Sequence, residues 1–251
     1  MASKIIAFFN QSGGVGKTTL TQNLGYALGQ RSHRVLLVDM DPQASLTAFM
    51  GLHPYDINPT IANSLLTSEP LPIHKDLHQI DLAPANISLS GVEFQLISAM
   101  SREWKLKRVL EPISQDYDFI LVDCPPSLGI LSILGLVAST DVVVPVQTQF
   151  KSFLGIELLL DTISQIRTEV NSQLKVSAII PTVFARSNAQ DKSILGALHE
   201  QLGHVAPILE PIPRATAFAD ASMERLPLAL FDSKHAANKI LDSIAATIET
   251  F

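Results

Sequence analysis

A single cysteine, Cys124, stands in 251 residues. That excludes a disulfide framework within the chain and any cysteine-rich cluster site. Long apolar runs are also missing. The strongest, residues 35–38, 120–122 and 142–144, are short and end at polar or turn residues. None approaches the roughly 20 apolar residues that cross a bilayer. Met1-Ala2-Ser3-Lys4 runs straight into a strand-like segment and leaves no room for a signal peptide, so a cytosolic protein is expected. An excess of basic charge is absent too: 18 Lys and Arg stand against 24 Asp and Glu, a net charge of −6. This argues against a surface coated all over with nucleic-acid-binding charge and leaves a local basic patch open. There is no internal repeat, low-complexity tract or Gly/Ser linker, and a 47% hydrophobic content excludes disorder.

Short β-like runs alternate with longer helical patterns, the signature of a parallel sheet wrapped by helices. The runs at 5–9, 35–38, 78–82, 119–122, 141–146, 176–180 and 206–209 read as strands. Helical spacing marks 18–30, 89–100, 104–110, 155–170, 192–202 and 236–250, and the Pro-punctuated stretch 54–72 reads as a connection with one short helix. The expectation is one α/β domain over 1–251, a mostly parallel twisted sheet with helices on both faces, strands buried on each side.

Between the first strand and first helix lies Asn10-Gln11-Ser12-Gly13-Gly14-Val15-Gly16-Lys17-Thr18-Thr19. Glycines let a backbone curl so that successive N–H groups face inward, and the helix N-terminus adds positive potential, which together cradle phosphate. In such a loop Lys17 reaches the β- and γ-phosphates and the Thr18 hydroxyl ligates Mg²⁺. The strict G-x-x-x-x-G-K-[ST] spacing fails, because Gln11 stands where its first glycine belongs. Two acidic motifs follow. Asp39-Met40-Asp41-Pro42-Gln43 ends the second strand, at the sheet edge where ligands bind in open α/β folds. Asp123-Cys124-Pro125-Pro126 ends another hydrophobic strand, the arrangement in which an acid holds Mg²⁺ through its water shell. Cys124 has no histidine nearby in sequence and reads as a packing residue.

These motifs together resemble the ParA/MinD family of P-loop ATPases, whose deviant loop is K-G-G-V-G-K-[ST], often after Asn-Gln. The match runs over Asn10-Gln11 and Gly13 to Thr18, and the general resemblance covers almost the whole chain. It implies an ATP hydrolase in which residues 11–19 bind nucleotide, Asp41 orients the attacking water and Asp39 supports Mg²⁺ through water. It also implies Thr182 and Pro213 beside the adenine. Where the family carries a signature lysine that reaches the partner's ATP, this chain has Ser12; further on, it has Gln149 for the usual Glu and Lys151 for an apolar residue. A serine in the loop with a lysine moved toward the C-terminal half is similar to the McdA branch, which positions carboxysomes. On that reading Lys151 acts in trans beside Lys17 in cis; a solvated surface lysine is the alternative. The resemblance further implies an ATP-bound homodimer that binds nucleoid DNA without sequence preference, with hydrolysis stimulated by a cargo-bound adaptor of McdB or ParB type; a carboxysome is the cargo expected, and plasmid or chromosome partitioning is the alternative. Arg186, Lys192, Arg214, Lys234 and Lys239 are the candidate DNA-binding cations, and each reads equally well as a solvated charge.

Three rival functions are open. A MinD-like membrane cycle needs a basic amphipathic C-terminal helix, but residues 240–251 hold no Lys or Arg. A ligase of similar fold would need a substrate signature beyond the nucleotide site, and an iron–sulfur reductase needs more than one cysteine. A scaffold that has lost hydrolysis with the lysine fits poorly with the retention of Asp39, Asp41 and Asp123.

Overall fold

The computed structural model describes residues 3–251, apart from the side chains of Phe153 and Leu154; Met1 and Ala2 lie outside the described residues. In chain order the elements are β1 (Lys4–Phe8), α1 (Lys17–Gln30), β2 (Val35–Asp39), α2 (Ser45–Phe49), α3 (Ile61–Thr67), β3 (His74–Leu77), β4 (Ile80–Ala83), α4 (Ser88–Leu96) and α5 (Lys105–Leu110). They continue with β5 (Phe119–Asp123), α6 (Ile130–Ala138), β6 (Asp141–Gln147), α7 (Phe150–Leu154), α8 (Ile156–Glu169), β7 (Lys175–Thr182), α9 (Ala189–Leu202), α10 (Ala217–Met223), α11 (Leu228–Phe231) and α12 (Ala237–Ile248). The strands form one seven-stranded sheet in the order β3-β4-β2-β5-β1-β6-β7, parallel except for the edge strand β3.

The near-continuous apolar strands follow from burial on both faces. Along β1, Ile6 and Phe8 point into one core with Leu20 and Leu24 of α1 and Leu241 and Ile244 of α12. Ala7 points into the other, with Leu134 of α6 and Leu159 and Ile163 of α8. Helix α1 lies so close to the sheet that a Cβ on Gly25 would come within 2.6 Å of the Leu37 side chain. Register places the ends of β2 and β5 side by side, with Asp39 opposite Asp123.

Two expected strands need correction. Residues 78–82 are not one strand: His78 and Gln79, with φ of 55° and 67°, form the turn of a β3–β4 hairpin. Two positive φ values are what a tight hairpin turn requires, but the usual Asn-Gly signal is missing. Residues 206–209 make an isolated bridge, Ile179 to Ile208, because Pro207 has no N–H to extend a ladder. Helix α6 lies outside the expected helices: ILSILGLVA is a short run with Ser132 as its one polar residue, and such a run reads equally as a buried strand.

Candidate nucleotide site

Every site motif lies at the carboxyl ends of the strands. Gly16 is the residue before α1 and has φ of 89°, a left-handed conformation that only glycine adopts cheaply. Around it the loop is braced from three sides. The Asn10 amide donates to the Pro145 carbonyl at 2.7 Å while its oxygen accepts the Ser12 N–H at 2.9 Å. Gln11 donates to the Gly155 carbonyl at 2.9 Å, ahead of α8. Gln147, at the end of β6, donates to the Gly14 carbonyl. These bonds tie the loop to β6 and to the residue ahead of α8, and one of them occupies the Gly14 carbonyl.

A cleft of about 280 Å³ opens over Gly13 to Thr19, with Asp41, Ser45, Phe49 and Pro126 on its other walls. A second hollow of about 170 Å³ continues from Gly14, Gly16 and Thr19 to Val183, Pro213, Arg214 and Phe218. Thr182 lines it as well, but its hydroxyl is turned onto the loop, donating to the Val15 carbonyl at 2.9 Å. Thus Thr182 and Pro213 are both brought to the loop. Thr182 reaches it as a brace, a role its sequence position did not reveal.

The charged groups are arranged unequally. Lys17 is buried and donates to the Ser12 carbonyl at 3.0 Å. Burial lowers its pKa, opposed by the field of Asp123. Asp123 is fully buried, and neither of its oxygens has a hydrogen-bond partner. Burial first, and then Asp39, push its pKa well above the ordinary value; the nearby Thr18 hydroxyl offsets this in part without reaching hydrogen-bond geometry. Asp39 is equally buried yet well bonded, accepting from Thr47 and from the Asp41 N–H. Its pKa is also raised, chiefly by burial. Asp41 is half-buried at the cleft wall and accepts the Gln43 N–H at 2.9 Å.

An orphaned buried carboxylate is costly unless something binds it. A hard cation beside Thr18 would satisfy Asp123. Among the described residues no group of three or more His, Cys, Asp or Glu converges on a metal position. A cation here would therefore draw its other ligands from phosphate and water, as Mg²⁺ does at nucleotide sites.

The other expected residues scatter. Lys151 is exposed on α7 and makes no ion pair among the described residues. Arg186, Lys192, Lys234 and Lys239 are exposed and likewise outside the ion pairs; Arg214, also exposed, lines the hollow beside the loop. Cys124 is buried, and its thiol pKa is pushed far up, as a packing residue requires.

The AAA domain family matches residues 3–176. The sporulation initiation inhibitor protein Soj of Bacillus subtilis is 36% identical over 235 residues, 92% of each chain. The chain belongs to the ParA/MinD family of P-loop ATPases. Among solved structures, this ParA-family chain is similar to cobyrinic acid a,c-diamide synthase from Mycobacterium smegmatis with bound ADP and magnesium, at 32% identity and a TM-score of 0.86, covering 97% of this chain and 93% of that one. Apo McdA of Cyanothece superposes with a TM-score of 0.88 over 98% of this chain and 99% of its own, at 22% identity, a likeness of fold.

Proposed function

We propose that the protein is a ParA/Soj-type partitioning ATPase: it binds Mg·ATP, pairs two copies around the nucleotide, holds DNA without sequence preference and moves a cargo as hydrolysis dissolves the pair. The observation that carries this reading is the unpartnered, buried Asp123 set against Thr18 and Lys17 over a phosphate loop. In a chain matched to Soj over 92% of both lengths, that pattern points to a nucleotide switch. Residues 11–19 cradle the phosphates, with inward N–H groups and Lys17 set against their charge. Thr18 and, through water, Asp123 would hold Mg²⁺, which when bound would neutralise phosphate charge. Asp41 at the cleft wall orients the attacking water, and Pro213 flanks the base.

Lys151, exposed on α7, supplies the cross-seam cation that Ser12 cannot. Arg186, Lys192, Arg214, Lys234 and Lys239 provide the DNA contacts, which are salt-dependent. A chromosome or plasmid is the cargo the relatives favour, with an adaptor of ParB type on the nucleoid. A carboxysome with an adaptor of McdB type is the second reading, favoured by the pairing of Ser12 with Lys151. Among the described residues no helix is long and apolar enough to cross a membrane. The similarity to a diamide synthase keeps a ligase as the rival enzyme class.

The test is ATP-dependent dimerisation and hydrolysis, with and without DNA, for wild type and Lys151→Ala. The expected result is that the variant binds ATP yet loses the dimer and falls in turnover by roughly a hundredfold or more. Wild-type behaviour in the variant makes Lys151 a surface residue. Turnover that depends on an added carboxylate substrate and ammonia donor, with no ATP-dependent dimer, identifies the ligase.

A further inference from the structure

Asp39 and Asp123 sit side by side, and only one is unpartnered. The Asp39 Oδ2 accepts two bonds from one residue, the Thr47 hydroxyl at 2.7 Å and the Thr47 N–H at 2.9 Å. Its Oδ1 accepts the Asp41 N–H at 3.1 Å. The Thr47 hydroxyl in turn accepts the Ala85 N–H at 2.9 Å, from the connection between β4 and α4. Asp39, Thr47 and Ala85 are all buried, so water cannot replace any of these bonds. A hydroxyl has one proton and two acceptor sites, and here the proton is committed to Asp39 while an acceptor site holds Ala85. The chain from Ala85 through Thr47 and Asp39 ends on the backbone of Asp41, whose side chain faces the cleft.

We infer that Thr47 is a positioning residue for hydrolysis: its shared hydroxyl clamps the turn that carries Asp41 between β2 and the β4–α4 connection. Asp39 thereby acts mainly through the Asp41 backbone, and the cation-facing carboxylate is Asp123. This rests on the reading that Asp41 orients the attacking water. Valine has nearly the shape of threonine but neither donates to Asp39 nor accepts from Ala85, while serine keeps both bonds. Loss of the clamp lets the turn drift without altering the phosphate loop, so binding and turnover should separate.

The variants are Thr47→Val, Thr47→Ser and Asp41→Asn, with hydrogen exchange measured on the nucleotide-free protein and steady-state hydrolysis beside it. In Thr47→Val the Ala85 and Asp41 amides should exchange roughly tenfold faster or more, because their bonds open locally. Its kcat should fall roughly ten- to a hundredfold with KM held within about threefold, the pattern of a misplaced catalytic group rather than lost binding. Thr47→Ser should restore both. Should the valine variant fail to fold, Thr47→Ala takes its place with the same expectations. Wild-type exchange and kcat in the hydroxyl-free variant overturn the inference, and so does failure of serine to rescue. If Asp41→Asn keeps the wild-type rate, the role given to Asp41 fails and this inference fails with it. If only Asp41→Asn loses turnover, the failure is confined to Thr47.

Discussion

The two ends of the sheet treat charge in opposite ways. All the ion pairs among the described residues lie where strands begin. Arg34 meets Asp118 at 2.8 Å, Lys175 meets Asp141 at 3.3 Å, and Arg31 and His33 converge on Glu249 of the C-terminal segment. Where strands end, Lys17, Asp39, Asp41, Asp123 and Lys151 form no ion pair. One end has its charges neutralised within the fold. The other keeps buried charge waiting for a ligand, a local instability that function demands.

The sharpest way to break this contrast is Asp123→Asn. Turnover should fall on the order of a hundredfold or more, since a cation loses its anchor. The nucleotide-free protein should nevertheless keep its stability to within about 1 kcal/mol, because the amide has the shape of a carboxyl that burial already favours in its neutral form. Urea denaturation of the apo protein checks this, and a loss of stability would mean that Asp123 has a partner in solution.

A second, smaller effect is in pH. The Asp39 carboxyl is pushed up to about 7 from an ordinary 3.8, chiefly by burial, and Asp123 is raised as well. A raised carboxyl binds its proton more tightly in the fold, so this end stabilises fully below pH 3.8 and loses that contribution as pH climbs toward 7. At the opposite end Glu249 is held down to about 2 by hydrogen bonds from Arg31 and His33, against an ordinary 4.5. Its contribution is present above pH 4.5 and fades as pH falls toward 2. Apo stability measured across pH should therefore show two slopes of opposite sign, with Asp123→Asn flattening the upper one and Glu249→Gln the lower.

The smallest effect belongs to Arg31→Met. It removes partly exposed ion pairs that salt already screens, so the melting temperature should drop slightly, and less still in about 1 M salt. ATP affinity should not change. A change in ATP affinity would mean the two ends are coupled.

Much of this was legible before any fold was in view. The loop at 10–19 and the acids at 39, 41 and 123 are contiguous motifs, and a strand ending in an acid has one place to put it. The alternation of apolar runs with helical spacing also sufficed for a parallel sheet. What failed did so for local reasons. His78-Gln79 lacks the residues that advertise a turn, and α6 is a short, almost wholly apolar run that does not distinguish a buried helix from a buried strand. Thr182 falls near the base by sequence position, while its hydroxyl serves the loop, a partner 167 residues away.

The type of site therefore follows from the linear order of residues alone, because phosphate binding needs a glycine-rich turn between a strand and a helix, and these are neighbours in the chain. Which of two equal aspartates is left without a partner depends instead on the packing of distant segments. Thr47 satisfies Asp39 from 8 residues away, and Ala85 reaches Thr47 from 38 residues further along the chain. Hydrogen bonds between segments so separated depend on how the strands and their connections pack, and no local pattern encodes them.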